Sequence, residues 1–233
     1  MSGHSHYATI KRQKALTDAA RGNVFSKHSK AIMIAAKGGG DPESNFKLRV
    51  AIDRARLDNM PKDNIQRAID KATSEGGVLD EVTYEGFGPL GVSVIVEAAT
   101  DNKNRTSQEI KNLFERGGGS MAGPGSVAYN FESKGFLLVK KTEDPDSQTL
   151  AIIDMGVEDI AESEDGLEVY LAPDKLGEVR KKLEEAGYEV TQAELQMKPK
   201  TLMEFGPQET DRIVKFLESL ETNDDVVKVY ANI

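Results

Sequence analysis

Along the first 75 residues, apolar side chains recur at helical spacing. Val24, Phe25, His28, Ala31, Ile32 and Ala35 fall within one arc at 100° per residue, with Ala36 beside them, and Lys27, Lys30 and Lys37 fall in a separate arc opposite. Met33 and Ile34 sit outside the apolar arc, which reads as a further contact surface on the same helix. Gly38-Gly39-Gly40 stops this helix, and Asp41-Pro42 offers a cap and a first-turn proline for the next. There Leu48, Ala51, Ile52 and Ala55 share a face, with Arg49 and Arg56 on one flank and Lys47 and Arg54 on the other. Asn59-Met60-Pro61 breaks it, because the residue before proline disfavours the helical region. Ile65, Ala68, Ile69 and Ala72 predict a further short helix, and Gly76-Gly77 marks a domain boundary.

From about residue 82 the period changes. Val92 to Ala98 predicts a strand, Thr106-Ser107-Gln108-Glu109 a capping box that opens a helix through Glu115, and Val127 to Phe131 another strand. A second unit follows, with a strand at Phe136–Lys140 and a helix at Ser147–Met155. A hairpin of 157–162 and 168–171 then turns at Asp165-Gly166, before a helix at 175–186 and a strand at 189–195. That order is β-α-β-β-α-β, the ferredoxin-like split motif. The tail predicts a strand at 201–205, a helix at 209–220 and a strand at 226–230. The expected fold is α+β: a helical domain over 1–77, a discontinuous α/β domain of 78–133 and 200–233 that forms a second β-α-β-β-α-β unit, and a ferredoxin-like α/β domain of 134–199 inserted in its middle hairpin.

Composition changes this picture through charge. The net charge of −9 argues against a nucleic-acid partner only as an average. Residues 1–74 hold 14 Lys+Arg against 7 Asp+Glu, while the remaining 159 hold 16 against 32. One end attracts phosphate and the rest repels it. There are no cysteines, which excludes disulfides, thiolate zinc sites and a cysteine nucleophile and fits a reducing compartment. No apolar run approaches the roughly 20 residues of a membrane span, and the opening residues lack the apolar core of a secretory signal, so the expectation is a soluble cytoplasmic protein.

Catalytic and cofactor chemistry finds little support. Gly86-Phe87-Gly88-Pro89-Leu90-Gly91 matches G-x-G-x-x-G by letters, yet it precedes a strand, whereas dinucleotide binding needs it to open a helix. The glycine-rich stretch from Gly117 to Ser126 lacks the ending of a phosphate loop and reads as a flexible connection, or as a contact loop with a bare backbone. His4, His6 and His28 are the only histidines. The first two suit phosphate better than a metal, and His28 falls in the apolar arc as a core histidine. The acidic run Glu158, Asp159, Glu162, Glu164, Asp165 and Glu168 reads as a solvated face. No enzyme, metal, cofactor, membrane or small-molecule substrate is expected.

The surviving constellation is Lys11, Arg12, Lys14, Arg21, Lys27, Lys30 and Lys37, opposed within the first 37 residues only by Asp18. Tyr7 adds a ring able to stack on a base or sugar. With His4, His6, Arg49 and Arg56, these form the candidate nucleic-acid-binding set. Neutralising about six phosphates gives a slope of log K against log salt of about −5 on duplex DNA. No residues stand at base-reading offsets, so binding should be dominated by the phosphate backbone.

Gly3-His4-Ser5-His6-Tyr7-Ala8-Thr9-Ile10-Lys11 resembles the opening of the YebC/PmpR family. Further signatures match at Gly39-Gly40-Asp41-Pro42, Leu48-Arg49, Asn59 to Ile65, Tyr84 to Pro89, Thr100 to Thr106 and Gly125-Ser126-Val127. The resemblance implies three domains and a role in gene regulation. Family members include DNA-binding transcriptional regulators, and others, such as the mitochondrial translational activator of cytochrome oxidase, look like ribosome-associated factors that assist translation through proline-rich stretches. This chain departs from the pattern with Tyr7 for Trp, His6 for Lys, Leu90 for Gly, and Arg12-Gln13 where His-Arg or a similar pair is common. Three functions stay open: a transcriptional regulator on DNA, a translation factor on RNA, and a protein-interaction module whose basic helices only dock on the acidic domains.

Overall fold

The computed structural model describes residues 18–74 and 79–233, with side chains from Val24 onward. In chain order the elements are helices α1 (Asp18–Ala36), α2 (Phe46–Leu57) and α3 (Lys62–Thr73), then strands β1 (Asp80–Phe87) and β2 (Ser93–Thr100). Next come α4 (Lys103–Arg116), β3 (Ser120–Ala122), β4 (Phe131–Val139), α5 (Pro145–Ile153), β5 (Asp159–Glu162) and β6 (Leu167–Leu171). The chain ends with α6 (Leu176–Glu185), β7 (Val190–Pro199), α7 (Pro207–Glu221) and β8 (Val226–Ala231). Among the described residues no helix is long and apolar enough to cross a membrane. Two compact units result: residues 132–198, and the helices with the first sheet, through 131 and from 199 on.

The helical breaks fall where the glycine run and the Asn-Met-Pro step predict them. Between α1 and α2 the sequence-based start is corrected: Asp41-Pro42 makes a turn, and the cap is Asn45. Its Oδ1 accepts from the Leu48 N–H at 3.1 Å, while its Nδ2 donates to the carbonyls of Ala35 and Gly39, both at 2.7 Å. One side chain thus satisfies orphan groups at the end of one helix and the start of the next. Ile32, Leu48, Ile52, Ile65 and Ile69 lead the buried core between the three helices.

The first sheet has the order β3-β1-β2-β8, with its pairs antiparallel. Val94, Val96 and Ala98 of β2 pack with Ile110 and Phe114 of α4 and Ile213 and Leu217 of α7. The opposite side chains, Ile95 and Ala99, are buried as well, and α1 packs against β2 and β8. Burial of both faces explains why β2 reads as a continuous apolar run rather than an alternation. Met33, outside the helical arc, is nevertheless buried in the core of the three helices.

Element order in this unit differs from the expected one. The sequence pattern does not reveal β1 and β3, residues 201–205 form no strand, and within 127–131 the chain makes a 3₁₀ turn at Ala128–Asn130. The order is β-β-α-β, then α-β after the insertion. The spatial plan is nevertheless that of the second sheet, which runs β5-β6-β4-β7 with the predicted β-α-β-β-α-β connectivity. Matched position by position, β8-β2-β1-β3 corresponds to β7-β4-β6-β5, and α4 and α7 correspond to α5 and α6. The strand third in place comes first in sequence, a rearranged ferredoxin-like sheet. In the second unit Phe136 pairs with Tyr170 across β4 and β6, their rings 5.4 Å apart.

The glycine run that opens the connection after α4, Gly117–Gly119, is a packed corner rather than a flexible linker. A Cβ on Gly117 would enter the Phe216 ring, and one on Gly119 would meet the Phe87 carbonyl and the Gly88 backbone. Gly119→Ala is expected to destabilise by about 2 kcal/mol through overpacking. Gly123→Ala, with nothing within 4 Å of the new methyl, should stay within about 0.5 kcal/mol. Urea midpoints at unchanged m-value check both.

Candidate nucleic-acid interface

The basic arc of α1 is turned toward the protein. Lys27 Nζ donates to the Glu221 carbonyl at 2.5 Å, Lys30 Nζ to the Asp224 carbonyl and to Asp225 Oδ1, both at 2.6 Å, and Lys37 Nζ to the Leu79 carbonyl. The sequence pattern assigns these three lysines to a polyanion. In the structure each has an acceptor within the protein: the C-terminal end of α7 and the turn into β8 offer a row of carbonyl and carboxylate oxygens, and α1 lays Lys27 and Lys30 on it, while Lys37 closes on the chain entering β1.

Asp225 is the centre of this contact and only 6% exposed. Its Oδ2 accepts from Thr106 Oγ1 at 2.6 Å, Arg105 Nη2 at 2.8 Å and Thr100 Oγ1 at 3.1 Å, while its carbonyl accepts the Ala99 N–H at 2.8 Å. Burial alone would raise its pKa. The bonds from Lys30, Thr106 and Arg105 outweigh burial and hold the carboxyl far below its ordinary 3.8. This use of Thr106 also corrects the helix start. Asn102 is the cap of α4, accepting from the Arg105 N–H at 3.1 Å, and Thr106 is drawn inward to Asp225.

The remaining candidates divide. Arg49 donates to the Pro42 and Glu43 carbonyls, bracing the α1–α2 turn, and Arg56 is exposed beside Asp53 at 3.5 Å. His28 is a core histidine, 2.6 Å from Asp58 Oδ2, and the His28 bond lowers the Asp58 pKa. His4, His6, Tyr7, Lys11, Arg12 and Lys14 lie outside the described residues, as does the Arg21 side chain, though its backbone belongs to α1. Sequence reasoning passes over Lys47, Lys62 and Lys71, which are exposed and without an acidic partner among the described residues. It also passes over Arg67, which among the described residues bonds the Asp63 carbonyl and Asn64 Oδ1. A signal for them exists: Ile65, Ala68, Ile69 and Ala72 fix the buried arc of α3 and so place Arg67 and Lys71, four apart, on its outer face.

Elsewhere the geometry answers the motif questions. Gly86–Gly91 spans the end of β1, a 3₁₀ turn and the approach to β2, so no helix N-terminus meets it. The acidic run is largely paired: Glu158 with Lys134 at 2.6 Å, Asp159 with Lys198 at 2.7 Å, Glu162 with Lys141 at 2.7 Å. Glu168, expected in solvent, is buried and accepts from the Tyr170 hydroxyl at 3.0 Å. Among the described residues no group of three or more His, Asp or Glu is placed to hold a metal ion.

With this geometry in place, comparison with known proteins is decisive. Residues 5–75 match the TACO1/YebC protein N-terminal domain, and residues 79–233 match the TACO1/YebC second and third domain. The chain belongs to the TACO1/YebC family. A TACO1/YebC relative from Dictyoglomus turgidum, named a probable transcriptional regulatory protein, is 48% identical over all of this chain and 95% of its own length. One from Thermotoga maritima with the same description is 45% identical over all of this chain and 93% of its own. The crystal structure of a conserved hypothetical protein from Aquifex aeolicus superposes with a TM-score of 0.88 at 40% identity, covering 98% of this chain and 96% of that one.

The contact around Asp225 has a pH signature. A carboxyl whose folded pKa is depressed contributes stability that is complete above its unfolded value of about 3.8 and is lost as pH falls through the folded value. Unfolding free energy should therefore decline below about pH 4, and Asp225→Asn should remove part of that decline. Asp225→Ala should cost about 3 kcal/mol at neutral pH, because Lys30 loses its buried partner. Urea titrations from pH 3 to 7 measure both effects.

Proposed function

We propose that this protein is a non-enzymatic, cytoplasmic regulator of gene expression that binds DNA through its basic helical domain, chiefly by the phosphate backbone. The observation that supports this most is the division of charge: net +7 over residues 1–74 and net −16 over the rest. The names of the relatives, probable transcriptional regulatory proteins, point the same way. The cations that reach the ligand in this reading are Lys11, Arg12, Lys14 and Arg21, with Arg56 and the exposed Lys47, Lys62, Arg67 and Lys71 in support. Lys27 and Lys30 hold the domain on the sheet, and Lys37 closes on the chain entering β1. Phosphate contacts are alike in DNA and RNA, so a translation factor on ribosomal or transfer RNA is the same reading with another polyanion.

The internal use of those three lysines favours a second reading, a protein-interaction module whose basic helices only dock. One experiment separates the two. Reversing Lys11, Arg12 and Lys14 to Glu should weaken duplex binding at ~150 mM salt and flatten the salt slope of about −5 by roughly 0.9 for each phosphate no longer neutralised. Unchanged affinity and slope would leave the docking module standing. In-cell crosslinking followed by sequencing of both attached DNA and attached RNA then identifies the polyanion.

A further inference from the structure

Glu85 is a second buried carboxylate of the first sheet, satisfied by a backbone loop and distant in role from the basic helices. It is 7% exposed, on the face of β1 opposite α4 and α7, where it pairs across the ladder with Ile95. Its Oε1 accepts the Gly125 N–H at 2.7 Å, and its Oε2 accepts those of Val127 and Ala128, both at 2.8 Å. An ionised carboxylate is costly to bury unless its oxygens are saturated. Three backbone donors in four residues do this, and they fix the loop in return. The fixation continues past Ala128. The Asn130 N–H donates to the Val127 carbonyl at 2.9 Å, Asn130 Nδ2 to Ser93 Oγ at 2.9 Å, and the Lys200 N–H to the Asn130 carbonyl at 2.8 Å.

Between these anchors stands Tyr129, the most prominent free ring of the described chain at 64% exposure. Neither its ring nor its hydroxyl has a partner among the described residues. Its backbone is bound: the carbonyl accepts from Lys200 Nζ at 2.9 Å, and that ammonium has no acidic partner among the described residues. Gly123 and Gly125, in the same loop, have nothing within 4 Å of where a Cβ would project. A lone exposed aromatic is ordinary. An aromatic on a loop clamped by a saturated buried carboxylate, with an unpaired cation at its base and bare backbone beside it, is a preorganised platform.

We infer that the Tyr129 ring, with Lys200 at its base, is a stacking site for an unpaired nucleobase of single-stranded nucleic acid, the ammonium taking the adjoining phosphate. This rests on the proposed nucleic-acid binding and extends it from duplex backbone to an unstacked base. Every base has a π-face, so the site selects strand state rather than sequence.

The test uses the full chain and fluorescence anisotropy with labelled 12-nucleotide oligo(A) in RNA and DNA arms, beside a 12-base-pair duplex. Tyr129→Ala should weaken single-strand binding about tenfold, as expected from losing one stacked base. Tyr129→Phe should stay within about twofold, and duplex binding should not move. Thermal midpoints should match wild type, since the ring is largely exposed. The relative loss in the RNA and DNA arms shows which strand the site prefers. The inference is overturned if wild type binds single strands and Tyr129→Ala binds them equally well, if Tyr129→Phe is as weak as Ala, or if the duplex weakens in parallel. Failure of wild type to bind any of the three oligonucleotides overturns the nucleic-acid reading itself.

Discussion

One carboxylate joins the helical domain to the sheet. Asp225 takes Lys30 from α1 on one oxygen and Thr100, Arg105 and Thr106 on the other, so it connects three separate stretches of chain. Without it, the two buried threonine hydroxyls would keep each other and the Asn102 carbonyl, and Lys30 would keep only the Asp224 carbonyl. Continuum reasoning warns that a buried ion pair adds little over a well-packed apolar replacement. Its contribution here is one of specification: only one placement of α1 brings Lys27 to the Glu221 carbonyl and Lys30 to Asp225 together.

Glu85 does for a loop what Asp225 does for a helix, and at the other end of the same sheet. Thr100, at one end of β2, bonds Asp225, whereas Ser93, at the other, bonds Asn130 of the loop that Glu85 clamps. Seven residue steps of strand separate them, about 23 Å. Both carboxyls are buried and both sit below their ordinary pKa despite that burial, because saturated hydrogen bonding outweighs desolvation. A central strand buried on both faces is the rigid spacer between the two devices. Its apolar run, Val94-Ile95-Val96, is what makes it one.

How much of this can be read from the residues depends on whether a signal is local. The helices, the breaks at Gly38–Gly40 and Pro61 and the whole second unit follow from periodicity and turn chemistry, which act over a few residues. β1 escapes because its central inward residue is Glu85, and no local rule foretells three N–H donors arriving from 40 or more residues on. β3 escapes because it is three residues long and sits in a glycine run whose glycines serve packing against Phe216 and Phe87 rather than flexibility. The misplaced start of α4 has the same origin. Thr106 looks like a cap from its neighbours, yet it is committed to an aspartate 119 positions away. For the candidate interface, the charge division is legible and the fate of individual lysines is not. A helical wheel shows which side a lysine occupies but not what lies there.

The charge division itself has a finer grain than two halves. The sheet segments that meet the helical domain, residues 75–131 and 199–233, hold 8 Lys+Arg against 15 Asp+Glu, a net of −7 that matches the +7 of residues 1–74. The inserted unit, 132–198, holds 8 against 17 and so accounts for the whole net charge of −9. The helical domain and its sheet are thus a neutral pair whose attraction is internal, and the repulsion felt by a distant polyanion comes from the insertion. At physiological salt the Debye length is about 8 Å, so a phosphate at the helical domain would feel chiefly the charges within that distance. Long-range steering is weak for such a molecule. Under the proposed function, association would depend on close fit at a few cations and one presented ring rather than on the average charge.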